Sequence, residues 1–144
     1  MKYSHKLSDA VHILAYVYIY ADGDLSSKAI ASSVETNQSM VRRMMSNLVR
    51  AGLLNSQPGK VEVSLAKAPQ DISLLDVYLA IEDNHNFLHI DDKTNPLCIV
   101  GGNIQETLND VYSKIQKDAE ASMSEHSLQE IIDQILTLEK NKNR

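Results

Sequence analysis

Residues 26–54, SSKAIASSVETNQSMVRRMMSNLVRAGLL, decide how the rest of the chain is read. The stretch predicts two helices joined by a tight turn. Ser26 and Ser27 are N-cap residue types, and Ala29, Ile30, Ala31 and Val34 follow as small or apolar residues at helical spacing. Glu35, Thr36, Asn37 and Gln38 break that pattern, with Asn37 a second capping residue. Val41, Met44, Met45, Leu48 and Val49 then recur at helical steps, while Arg42, Arg43, Asn47 and Arg50 take the other face. Gly52 stands where a C′ glycine ends a helix. A first helix propping a second, whose polar N-terminal end faces outward, is the helix-turn-helix layout for entering a DNA major groove.

A chain of 144 residues holds one or two small domains, and 43% apolar residues with three prolines and five glycines predict an ordered, mainly helical chain. The formal net charge of −5 opposes nucleic-acid binding until it is divided along the sequence. Residues 26–67 carry six bases against two acids, whereas residues 68–144 carry 14 acids against six bases. Phosphate binding depends on the local field, and the basic third coincides with the helix-turn-helix. No signal peptide and no apolar run long enough for a bilayer is read, so no membrane partner is expected. A single cysteine builds no intramolecular disulfide and fits a reducing cytoplasm.

Upstream, Leu7, Ala10, Val11, Leu14, Val17, Tyr18 and Ala21 form an apolar stripe that predicts a helix over residues 6–21, covering the helix-turn-helix. His5 and Lys6 at its open end read either as phosphate contacts or as plain surface residues. Downstream, Gln57, Pro58, Gly59 and Lys60 make a turn, and residues 61–65 alternate as a strand. A short hairpin behind a recognition helix is a wing, with Lys60 at its tip. Ser73 followed by Asp76 resembles a capping box, and Leu75, Val77, Leu79, Ala80 and Ile81 predict a packed helix.

The run AGLLNSQPGKVEVSLAKAPQDISLLDVYLAIE, residues 51–82, resembles the signature of the Rrf-type winged-helix regulators. That family includes the iron–sulfur cluster regulator, the nitric-oxide-sensitive repressor and the cysteine-metabolism repressor. Ala51, Gly52, Leu53, Gly59, Leu65, Ala66, Pro69, Ile72, Leu75, Asp76, Val77, Ala80, Ile81 and Glu82 carry the likeness, which extends over nearly the whole chain. Glu62 and Val63 stand where the family often has paired glycines, which implies a shorter, stiffer wing. Members that hold an iron–sulfur cluster supply three cysteines from the segment corresponding to residues 83–102. Only Cys98 is present here, so no cofactor is expected. Other members are thiol switches or answer to protein partners, and both possibilities stay open.

Two readings of Cys98 stand side by side. Between Leu97 and Ile99 it resembles a small buried hydrophobe. In a connector between a DNA-binding half and a dimer helix, it resembles a sensor for an oxidant or a small thiol. His85, His89, Asp91 and Asp92 are read as loop residues and not as a metal site. From Asn103 a long helix carries Ile104, Leu108, Val111, Ile115 and Ala119 at steps close to a coiled-coil seam. Residues 127–130, SLQE, predict a capping box opening a further helix with Leu128, Ile131, Ile132, Ile135 and Leu138 on one face. These stripes ask for a homodimer, as does the family resemblance.

The expected architecture is therefore mainly α. It comprises a winged helix-turn-helix domain with a small β-hairpin wing (residues 1–82), a connector or sensor segment (83–102) and dimerisation helices (103–144). The expected function is a homodimeric repressor on a two-fold double-stranded DNA operator, controlled at Cys98. Asn37, Gln38, Ser39, Arg42 and Arg43 are the candidate base readers, and Ser26, Ser27, Lys28 and Lys60 the candidate phosphate contacts. Ile104, Leu108, Val111 and Ile115 are the candidate dimer seam. No P-loop, nucleophile elbow or paired catalytic carboxylates occur at usable spacing, so an enzyme is not expected. The alternative is a regulator or interaction module controlled by a protein partner or small ligand.

Overall fold

The computed structural model describes residues 4–56 and 62–142. Among the described residues, six α-helices run in the order α1 (Lys6–Ile19), α2 (Ser27–Val34), α3 (Gln38–Arg50), α4 (Leu74–Ile81), α5 (Ile104–Ser124) and α6 (Leu128–Lys140). Between α3 and α4 lie β1 (Leu54–Ser56), β2 (Val63–Leu65) and a 3₁₀ turn over Pro69–Asp71. The strands pair antiparallel, with Leu54 opposite Leu65 and Ser56 opposite Val63. The hairpin is shorter than the alternation predicted, because β2 begins at Val63 and leaves Glu62 outside the ladder. The expected turn at residues 57–60, with Lys60, lies outside the described residues.

Helix ends follow the local chemistry of the sequence. Ser26 caps α2 by accepting the Ala29 N–H at 3.1 Å, and Asn37 caps α3 by accepting the Met40 N–H at 2.8 Å. At the far end of α3, Leu53 N–H reaches Leu48 O and Gly52 N–H reaches Val49 O, each at 3.0 Å, which is a Schellman closure. Gly52 has φ +78°, the left-handed conformation that closure needs. α1 stops at Ile19, two residues short of its apolar stripe, and Tyr20 turns the chain with its ring 4.6 Å from that of Tyr16.

The core joins all parts of the winged helix. Ile13, Leu14, Ile30, Val41, Leu48, Leu54, Ile72 and Val77 are buried in one cluster, and Leu128 and Ile132 of α6 belong to it. The last segment, residues 103–144, thus divides: α5 leans on α4, and α6 returns to pack on α1. The return is fixed by a bridge between Ser73 and Ser127, the two helix-capping serines. Leu74 N–H donates to His126 O and Leu128 N–H to Ile72 O, both at 2.8 Å. Ser73 and Asp76 form the reciprocal capping box at α4. At α6 only half of the expected box forms. Ser127 accepts the Glu130 N–H, but the Glu130 carboxylate turns to His126 Nδ1 at 2.9 Å. Leu79, expected to be packed, is 46% exposed because α4 buries only the face of Val77, Tyr78 and Ile81.

Candidate nucleic-acid interface

Burial of Val41, Met44 and Leu48 fixes the rotation of α3 about its axis, so the opposite face looks out. Ser39, Arg42 and Arg43 lie on that exposed face. The N-terminus of α2 stands beside it. Arg42 Nη1 donates to Ser27 Oγ at 3.3 Å and to Gln38 Oε1 at 3.4 Å, drawing Ser27, Gln38 and Arg42 into one cluster across the two helices. Arg43 makes no side-chain hydrogen bond or ion pair among the described residues, so its guanidinium fork is available. Asn37, expected as a base reader, spends its Oδ1 on the α3 cap and keeps only its amide nitrogen for a ligand. Arg50 is tied back to Asn47 on its own helix.

Two contributors to this surface were not legible in the sequence. His12 Nε2 meets Ser33 Oγ at 2.8 Å, bracing α2 against α1. Asp24 accepts the Ser26 N–H at 3.0 Å. That backbone hydrogen bond, then one from the Ser26 side chain, then the nearby Lys28 charge, hold the Asp24 carboxyl below its usual range. An acid in the turn before a capping serine is a weak clue, since such residues are common in any turn. Lys28 itself is exposed beside the α2 N-terminus. Lys6 Nζ pairs with Asp83 at 2.5 Å, and Ser4 donates to Glu82 at 2.9 Å, so the open end of α1 is turned towards the end of α4.

Residues 83–102 form neither helix nor strand. Cys98 is exposed in the subunit, between Leu97 at 94% and Ile99 at 87% exposure, so the subunit's own core does not bury it. The backbone N–H groups of Gly101 and then Val100 hold its thiol below the ordinary cysteine range. The loop closes tightly: Gly102 N–H donates to Cys98 O at 2.8 Å, and Thr94 Oγ1 to Gly101 O at 2.5 Å. A Cβ on Gly101 would run into the Asn95 carbonyl. With one thiol in the chain, and no group of three metal-ligating side chains among the described residues, an iron–sulfur cluster with three cysteine ligands does not fit. His85 instead lies with its ring 5.3 Å from that of Tyr78.

Along α5, Ile104 and Leu108 are half-buried, while Val111 and Ile115 are 47% and 45% exposed. Ile135, Leu136 and Leu138 of α6 are exposed as well. No helix among the described residues is long and apolar enough to cross a membrane.

Comparison with known proteins fits this geometry. The Rrf2 family model, described as an iron-dependent transcriptional regulator, matches residues 3–134. YwnA of Bacillus subtilis (strain 168), named an HTH-type transcriptional regulator, is 37% identical over 130 residues, covering 90% of this chain and 96% of YwnA. A crystal structure described as a DNA binding protein superposes with a TM-score of 0.68 at 39% identity, over 88% of this chain and 97% of the other. CymR, the global cysteine regulator of B. subtilis, shares the fold with a TM-score of 0.63 at 19% identity, over 92% of this chain and 97% of CymR.

Proposed function

The chain belongs to the Rrf2 family of DNA-binding transcriptional regulators, and from that membership we propose that it is a homodimeric cytoplasmic repressor whose grip on a two-fold operator is set by the redox state of Cys98. The observation that carries the DNA-binding part is the outward face of α3. Its buried side is locked into the core, while Ser39, Arg42 and Arg43 face solvent beside the α2 N-terminus. Arg43 pairs with a guanine edge, Gln38 reaches a neighbouring base, and Ser26, Ser27 and Lys28 hold phosphates that fix register. Lys60 is the remaining candidate phosphate contact. Two copies of α3 enter successive major grooves about 34–36 Å apart.

The uncovered apolar side chains of α5 support the dimer. Each buried Leu or Ile stabilises by roughly 1.5–3 kcal/mol, so a seam of Ile104, Leu108, Val111 and Ile115 gains most from a second copy. The exposed, acidified Cys98 thiol supports the switch. Its thiolate attacks a peroxide oxygen, becoming sulfenic acid as hydroxide leaves, and a small thiol can then condense with it, releasing water. The modified loop sits between α4 and α5, where added bulk tilts the reading heads relative to the dimer helix. A second reading, control by a small ligand instead of an oxidant, is favoured by a groove between the connector and α5.

The deciding experiment measures operator affinity of reduced and peroxide-treated protein, wild type beside Cys98→Ser. Loss of affinity in oxidised wild type with no response in Cys98→Ser supports the switch. An oxidant response that survives in Cys98→Ser removes it, and indifference of both proteins to peroxide favours ligand control.

A further inference from the structure

We propose that the groove between the connector and α5 binds a free α-amino acid with a short apolar side chain; the site rests on the ligand-control reading above and gives it a ligand class. The groove is open to solvent, has a volume of about 390 Å³, and carries Leu88, His89 and Ile90 from the connector and Tyr112, Lys117 and Glu120 from α5. Its lining is largely polar, with Asn86, Asn109 and Ser113 beside the charged pair, and Leu88 and Ile90 supply the aliphatic part.

One lining residue, Gln116, is held in place by its neighbours. Gln116 Oε1 accepts the Phe87 N–H at 2.9 Å, and its Nε2 donates to Tyr78 Oη at 3.2 Å and to Glu120 Oε2 at 3.0 Å. Tyr78 is 3% exposed and stacks on Phe87 with ring centroids 5.0 Å apart. One amide thus pins the connector, α4 and α5 together.

The charges select the ligand. Lys117 and Glu120 lie about one turn apart on α5, yet they form no ion pair, and Lys117 has no hydrogen-bond partner among the described residues. A simple anion on Lys117 would face the Glu120 carboxylate, and a simple cation on Glu120 would face the Lys117 ammonium. A zwitterion answers both, with its carboxylate on Lys117 and its ammonium on Glu120. Leu88 and Ile90 then face an apolar side chain of a few carbons. Most of the groove lies off the proposed dimer seam. Asn109, Tyr112 and Gln116 each follow a seam residue by one position, about 100° around the helix.

Occupancy reaches the DNA-binding half through Gln116. A ligand ammonium competes with the Gln116 amide for Glu120, and that same amide holds Tyr78 of α4.

Isothermal titration calorimetry of the full chain tests the site, with valine, leucine and methionine as probes. Leucine is set against 4-methylpentanoate, which lacks the ammonium, and 3-methylbutylamine, which lacks the carboxylate. The expected result is binding of at least one amino acid, with each half-charged analogue weaker by about tenfold or more. Lys117→Met and Glu120→Gln, checked for unchanged circular dichroism, each weaken the amino acid to a similar degree. The proposal is overturned if none of the three amino acids binds wild type at millimolar concentration, or if the analogues bind as well as leucine. It also falls if Lys117→Met leaves binding intact, or shifts the oligomeric state with no amino-acid binding, which would make the groove a contact between copies. Operator affinity measured in parallel separates the two readings. DNA binding without amino-acid binding sinks the groove alone, and the reverse sinks the regulator assignment alone.

Discussion

Arg42 and Arg43 are neighbours in sequence with different employment. Arg42 is held by Ser27 and Gln38, so it orders the junction of two helices before DNA arrives. Arg43 projects from the exposed face with no side-chain partner among the described residues. If Arg43 reads a base, Arg43→Ala costs about 1–3 kcal/mol of binding and relaxes preference at one operator position. Arg42→Ala weakens binding more evenly across operator variants, since it loosens a scaffold and a phosphate-side cluster. Fluorescence anisotropy over a panel of single-base operator changes distinguishes the two, and unchanged affinity for both variants would remove α3 as the reading helix. Cys98 gives a pH prediction at the same scale. Because Gly101 and Val100 N–H groups favour the thiolate, the thiolate fraction rises at lower pH than in a free cysteine. Iodoacetamide alkylation therefore has its inflection below that of a free thiol. In Gly101→Ala, whose Cβ cannot clear Asn95, the inflection moves back towards the ordinary value.

At the scale of elements, α6 separates two kinds of apolar residue that look alike on a helical wheel. Ile132 is fully buried against the winged-helix core, whereas Ile135 is 41% exposed. Ile132→Ala removes methylene groups from a packed site and should cost about 2–5 kcal/mol in urea unfolding. Ile135→Ala has a much smaller effect on the isolated subunit, and equal losses at both positions would contradict the packing described. The paired caps give a second check. Ser73→Ala deletes the acceptor of the Asp76 N–H in a complete capping box and should cost about 1 kcal/mol. All the helices were legible in the sequence, because their stripes, caps and the left-handed Gly52 are local features. The partition of α6 was not, because a stripe says that a face is buried without saying against what.

Across the whole molecule, charge is segregated: the helix-turn-helix third is basic and the remainder acidic. Operator affinity should therefore fall steeply with salt, with log K against log salt sloping by roughly −0.9 per phosphate neutralised. A flat salt response would mean that the basic face is not the contact surface. Sedimentation equilibrium should return twice the 16.1 kDa chain mass. A stable single subunit at working concentration would refute the two-fold operator geometry.

The sequence alone determined the helix-turn-helix, the hairpin behind it, the lack of thiols for a cluster and the family likeness, since each depends on residues close together in the chain or on simple presence. Only the tertiary structure decided that Cys98 is exposed in the subunit, that Lys6 pairs with Asp83 and that α6 folds back to share the core. Those outcomes turn on contacts between segments distant in sequence, or on which of two available partners a side chain meets first. No periodicity along the chain encodes that choice.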